Sequence, residues 1–319
     1  MQINTIYTRS VIQTMAGKAI RDLRGGGERE LRNVVELCKG CSASPDYQKF
    51  WSMLENILRR PGQRYGALLS RAANDVDINC LKTLIANLGL HAYTAGGQML
   101  RDNWKSGVSS AYWMEPLDET IKPDVLHQTI SSLERQGTSS FLFRVGEEAE
   151  LRTVLNIGSK HRQCVFLMIC RTAPCFQNDL EEVTALGNVI PLVRVEDLST
   201  LAGPLKQAGV LFGFHRGYRE IESLEAEREL LHQCIETGCF LGVYEGNTQD
   251  PCEKRDLFYY AELQEIRQKG AQEIFLIDLW RDREVVQKLL LYQQVLPDCS
   301  WNGESAKKQQ IEKRRDFKR

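Results

Sequence analysis

From about residue 108 the sequence alternates short apolar runs with polar stretches of helical pattern, and this alternation limits the fold more than any other feature. Seven runs recur: AYWM (111–114), SFLF (140–143), CVFLMIC (164–170), VIPLVRV (189–195), VLFGF (210–214), CFLGVY (239–244) and EIFLID (273–278). Between them lie VLHQTISSLERQ, DLEEVTAL, LEAERELLHQCIET and YYAELQEIRQ. One strand and one helix per roughly 20–33 residues is the pattern of βα units around a parallel sheet. The runs show little polar alternation, so their strands should be covered on both faces. No G-x-G-x-x-G fingerprint accompanies them. The expected class is therefore α/β, a partial or closed (βα) TIM-like barrel rather than an open doubly wound sheet.

The region before the alternation reads as helical, which divides the chain into a helical N-terminal region (1–107), the barrel (108–297) and a basic C-terminal tail (298–319). In KFWSMLENIL the apolar residues recur at helical spacing, and RRPGQ breaks the run. Leu81, Leu84, Ile85 and Leu88 form a second stripe behind Asp77 and Asn79, both suited to capping. The glycines at 25–27 read as a helix break. Residues 83–100 carry no charge, but Asn87, His91, Gly96, Gly97 and Gln98 interrupt them, so a buried helix is expected rather than a membrane span.

The chain has 319 residues, 42% of them apolar, and a net charge of -1. That content supplies ample core, and that charge gives no overall field to recruit nucleic acid or anionic lipid. The basic stretch at 307–319 reads as a solvated end. The N-terminus lacks the continuous apolar core of a signal peptide, so a cytoplasmic protein with free thiols is expected.

In a βα barrel the C-terminal strand ends carry function. Here they read Glu115, Arg144 with Gly146 and Glu147, Arg171, Arg194 with Glu196, His215 with Arg216, Tyr244 with Glu245, and Asp278. This is a polar ring rich in arginine, open to a solvation reading and to a ligand reading alike. Nucleophile-elbow, phosphate-loop and zincin motifs are missing. His215 is the one histidine at a predicted strand end. Cys38 and Cys41 form the single C-x-x-C, a weak metal candidate because two thiolates do not complete a tetrahedral site. Incidental thiols are the favoured reading.

The segment GQRYGALLSRAANDVDINCLKTLIANLGLHAYTAGGQMLRDN, the strand AYWMEP and the order of units together resemble radical S-adenosylmethionine (SAM) proteins with a helical N-terminal extension. The similarity runs from about residue 62 to 245. The resemblance implies three cysteines spaced C-x3-C-x2-C after the first strand, holding a [4Fe-4S] cluster whose open iron binds SAM. This chain has PLDETIKPDVL there, short and without cysteine. Cys164 and Cys170 lie at opposite ends of one predicted strand, about 20 Å apart, too far to grip one cubane.

Other family positions survive. The Gly-Gly-Glu motif that contacts the SAM amino group matches Val145-Gly146-Glu147, and a position near the SAM ribose matches Glu196. The resemblance thus assigns Gly146, Glu147 and Glu196 to a vestigial SAM pocket. Arg144, Arg194 and His215 are ligand candidates beside it, while Glu147 and Glu196 serve equally well as ion-pair partners of the two arginines. No cofactor is required, a [4Fe-4S] cluster is not expected, and SAM stays open as a ligand. The expectation is a cluster-less pseudoenzyme, a binding or accessory protein for a catalytic radical SAM relative or its substrate. The alternative is an enzyme or sensor binding SAM or another anionic small molecule at the arginine-lined top. Neither reading involves nucleic acid or a membrane span.

Overall fold

The computed structural model describes residues 2–26, isolated positions between 29 and 59, and 64–292 apart from 109–110, 119–120, 173–178, 247–253 and 270–271. Strands β1 (Met114–Pro116), β2 (Ser140–Val145), β3 (Val165–Cys170), β4 (Val189–Arg194), β5 (Gly213–Gly217), β6 (Leu241–Glu245) and β7 (Phe275–Asp278) pair in that order. Every pairing is parallel. The sheet curls into an open half-barrel whose edges are β1 and β7.

The N-terminal region contributes α1 (Gln2–Gly26), α2 (Tyr65–Asp75), α3 (Ile78–Leu84), a π-helical segment (Ile85–Gly96) and α4 (Gly97–Lys105). Between the strands run α5 (Pro123–Gln136), α6 (Glu148–Lys160), α7 (Leu180–Leu186), α8 (Leu198–Gln207), α9 (Leu224–Glu236) and α10 (Lys254–Lys269). Helix α11 (Leu279–Tyr292) follows β7.

Each apolar run of the sequence yields one strand, and the starts shift most, by three residues, at β1 and β5. Only the last residue of AYWM enters β1, and β5 begins three residues after Val210. There the Val210 N–H still donates to Leu205 O, closing α8 before the chain extends. Asp77 caps α3, its Oδ1 accepting from Asn79 N at 2.8 Å and Cys80 N at 3.2 Å. Asn79 is therefore inside the first turn. Much of 49–63, the tail from 298, and Cys38 and Cys41 fall outside the described residues.

The two-residue period of the strands sorts their side chains into two cores. Outward-facing Phe141, Phe143, Phe166, Met168, Val193 and Phe214 pack with Leu126, Ile130, Leu151, Leu201 and Leu231 of the surrounding helices. Inward-facing Leu142, Val165, Ile169, Ile190, Leu192 and Val243 pack instead with Ile20, Leu23, Leu68, Ala72, Cys80 and Leu81. Full burial of each large side chain favours folding by about 1.5–3 kcal/mol. The N-terminal helices thus share a core with the inside of the sheet.

Hydrogen bonds fix the end at which they sit. Arg71 donates to Cys239 O at 2.8 Å and Glu273 O at 2.7 Å, just ahead of β6 and β7. Asp77 N donates to Gly209 O ahead of β5, and Asn87 Nδ2 to Cys164 O ahead of β3. The helical region closes the N-terminal end of the half-barrel and leaves the C-terminal strand ends to the other side. The uncharged stretch 83–100 is helical but not wholly buried: Ala86 and Asn87 are covered, whereas Ile85 and Leu88 are each 42% exposed.

Candidate functional site

At the C-terminal ends of the strands the chemistry converges on one carboxylate. Glu245, the last residue of β6, accepts from Arg144 of β2 at 2.5 Å, from His215 Nε2 of β5 at 3.0 Å and from Trp280 Nε1 at 3.2 Å. Arg144 and Trp280 share Oε1, and His215 takes Oε2. The Arg144, His215 and Glu245 side chains are 28%, 16% and 17% exposed, so solvent reaches a cluster that is mostly enclosed. Burial alone would push the Glu245 carboxyl up. The His215 hydrogen bond and the Arg144 charge outweigh it and hold the group below the ordinary carboxylate value.

Beside this cluster α11 reaches across the open edge to β1. Arg283 pairs with Glu115 at 2.6 Å and its Nε donates to Met114 O at 2.7 Å. Gln287, one helical turn on, accepts from Trp113 N at 2.9 Å and donates to Ala111 O at 3.1 Å. The Arg283 guanidinium also lies 3.7 Å from the centre of the Tyr112 ring. Backbone groups that an eighth strand would pair are met by two side chains of a helix.

Glu147 is the N-cap residue of α6 and makes no side-chain capping hydrogen bond there. Glu150 Oε2 accepts from Gly146 N at 2.6 Å and Glu147 N at 3.1 Å. Gly146 and Glu147 thus lend their backbone N–H groups to Glu150 at the start of α6. Glu196 pairs with Arg194 on the exposed rim. Arg144 pairs with Glu245 rather than with Glu147.

Three members of the strand-end ring do not face the mouth. Arg216 turns outward to Glu227 at 3.2 Å, Tyr244 donates to the same carboxylate at 2.5 Å, and Asp278 accepts from Tyr218 at 2.7 Å beneath the helices. The strand period is the reason: where neighbours such as His215 and Arg216 are both polar, only one can point inside.

β1 gives way to α5 after residues 117–122, which include no cysteine. Cys80, Cys164, Cys170, Cys234 and Cys239 are all buried. Cys164 and Cys170 flank β3 at its two ends, and Cys234 and Cys239 precede β6. Among the described residues no group of three His, Cys, Asp or Glu side chains is placed to hold a metal ion. Cys38, Cys41, Cys175, Cys252 and Cys299 lie outside the described residues.

Sequence reasoning placed Glu245 at a strand end but did not find it as the hub, and it did not single out Trp280, Arg283 or Gln287. The available signal was the i, i+4 spacing of Arg283 and Gln287 on a helix that directly follows the last strand.

Fold and mouth together define an α/β protein of the partial TIM-barrel type, with N-terminal helices and a charged cluster at the C-terminal strand ends. No family model and no curated protein matches the sequence. Among solved structures it is similar to a chain from a study of mutual activation in the tryptophan synthase α2β2 complex of the hyperthermophile Pyrococcus furiosus. The identity is 11% and the TM-score 0.38, over 57% of this chain and 98% of that one. At that level nothing about chemistry carries over. Among the described residues no helix is long and apolar enough to cross a membrane.

Proposed function

We propose that the chain is a radical-SAM-like barrel that binds instead of initiating radicals, an accessory protein for a catalytic relative or for that relative's substrate. The observation that carries this reading is the end of β1. Where the family places its thiolates, Glu115 is tied to Arg283 and the chain enters α5 after a stub without cysteine. Anaerobic reconstitution followed by iron analysis and an ultraviolet-visible spectrum tests it. A brown sample with near-stoichiometric iron, forming deoxyadenosine from SAM under reductant, overturns it. A pull-down from the native host tests the accessory role, which fails if no stable partner is recovered.

A second reading has its own support. Arg144 directs one Nη2–H at Glu245 and makes no other hydrogen bond among the described residues, which leaves donors of its fork for an anionic small molecule at the mouth. SAM is one such candidate through the retained Gly146, Glu147 and Glu196. Calorimetry with SAM separates the cases, since a flat titration, or an affinity unchanged by Glu147→Ala, removes SAM.

A further inference from the structure

Glu245 fixes the state of its neighbour. An ionised carboxylate only accepts hydrogen bonds, so the 3.0 Å contact requires the proton on His215 Nε2. In neutral imidazole the other nitrogen, Nδ1, then carries a lone pair, and it has no hydrogen-bond partner among the described residues. Arg144 is bound to the same carboxylate through the opposite oxygen, so guanidinium and imidazole are neighbours, each with unused capacity of opposite kind. Arg144 offers donors in a planar fork suited to an oxyanion. In its neutral form His215 offers an acceptor, which repels an oxyanion and attracts O–H.

A simple anion would satisfy Arg144 and leave Nδ1 facing negative charge. A neutral alcohol would satisfy Nδ1 and leave the fork unused. We infer that the mouth binds a small hydroxy acid, its carboxylate on Arg144 and its hydroxyl donating to His215 Nδ1. Trp280 and Glu245 act as positioning residues: the indole N–H holds one carboxylate oxygen, and the carboxylate holds the tautomer. The inference rests on the reading of the mouth as an anionic small-molecule site and adds the ligand class.

The test titrates the full chain with glycolate and with acetate, which lacks the hydroxyl, by calorimetry and by nitrogen NMR of the imidazole. Glycolate is expected to bind about tenfold tighter than acetate, the discrimination set by one partly solvated hydrogen bond. The Nδ1 resonance should move with glycolate alone. Arg144→Gln should weaken both ligands, and His215→Phe should bring glycolate to the acetate level. The wild-type nitrogen shifts report the tautomer even if a variant fails to fold. Equal affinities, or a proton found on Nδ1 instead of Nε2, overturn the hydroxy-acid inference and leave the anion site standing. Binding of neither ligand overturns both.

Discussion

Arg283 of α11 and Glu115 of β1 pair at 2.6 Å across the gap between the two edges of the sheet. With Gln287 they give β1 a partner that is a helix face instead of a strand. The free edge of a parallel sheet is otherwise a row of unpaired backbone groups. Earlier on the same helix, Trp280 donates its indole N–H to Glu245 at 3.2 Å.

Arg283→Ala should destabilise the protein by about 2–4 kcal/mol, because it strips a largely buried carboxylate of its charged partner, leaving it only the Tyr112 N–H, and leaves the Met114 carbonyl without the Arg283 donor. Gln287→Ala should cost about 1–2 kcal/mol for its two neutral bonds. Urea unfolding measures both. A cycle pairing Arg283→Ala with Glu115→Gln should show a coupling of about 1 kcal/mol or more, and strict additivity would refute the seam.

The Glu245 carboxyl is held below its ordinary value in the folded protein, so its contribution to stability is full above the unfolded-state value, about 4.3. That contribution is lost as pH falls through the lower folded value. Glu245→Gln should therefore flatten the acid limb of a midpoint-versus-pH curve below about pH 4.5. An unchanged acid limb would detach Glu245 from Arg144 and His215.

Gly137 ends α5 at φ 106°, and a Cβ there would lie 2.5 Å from Gly96 O and 2.7 Å from Leu100 N. Both obstacles are backbone, so they cannot rotate away. Gly137→Ala should cost about 2–4 kcal/mol through strain and the forced separation of α4 from α5. Thermal unfolding reads the effect, and a variant as stable as the wild type would show that the two segments do not approach so closely.

The five described cysteines should resist thiol reagents until the protein unfolds. Burial pushes the Cys80 thiol up to about 11 and raises Cys164 further. For Cys234 the hydrogen bond with Cys239 is the largest influence, with burial behind it, and both act upward. Mass-spectrometric mapping after brief alkylation of the native protein should find all five unmodified. Rapid labelling of Cys80 or Cys164 would show that the inner core or the base of β3 opens.

The sequence by itself determined the number and order of the strands, the parallel sheet and the helical character of the N-terminal region. Each depends on periodicity within a few residues, and burial on two faces writes itself as unbroken apolar runs such as CVFLMIC. It also showed that the stretch after the first strand, PLDETIKPDVL, carries no cysteine. The tertiary structure alone decided which polar residues meet. Arg144 and Glu245 are 101 positions apart and Arg283 and Glu115 are 168 apart, so no local pattern links them. The same limit applied to the helical region, whose place at the N-terminal end depends on long-range bonds from Arg71 and Asn87 to loops ahead of the strands. Pairing in the mouth follows from how far the sheet curls and which face of each strand turns inward, and curvature is a property of the assembled sheet.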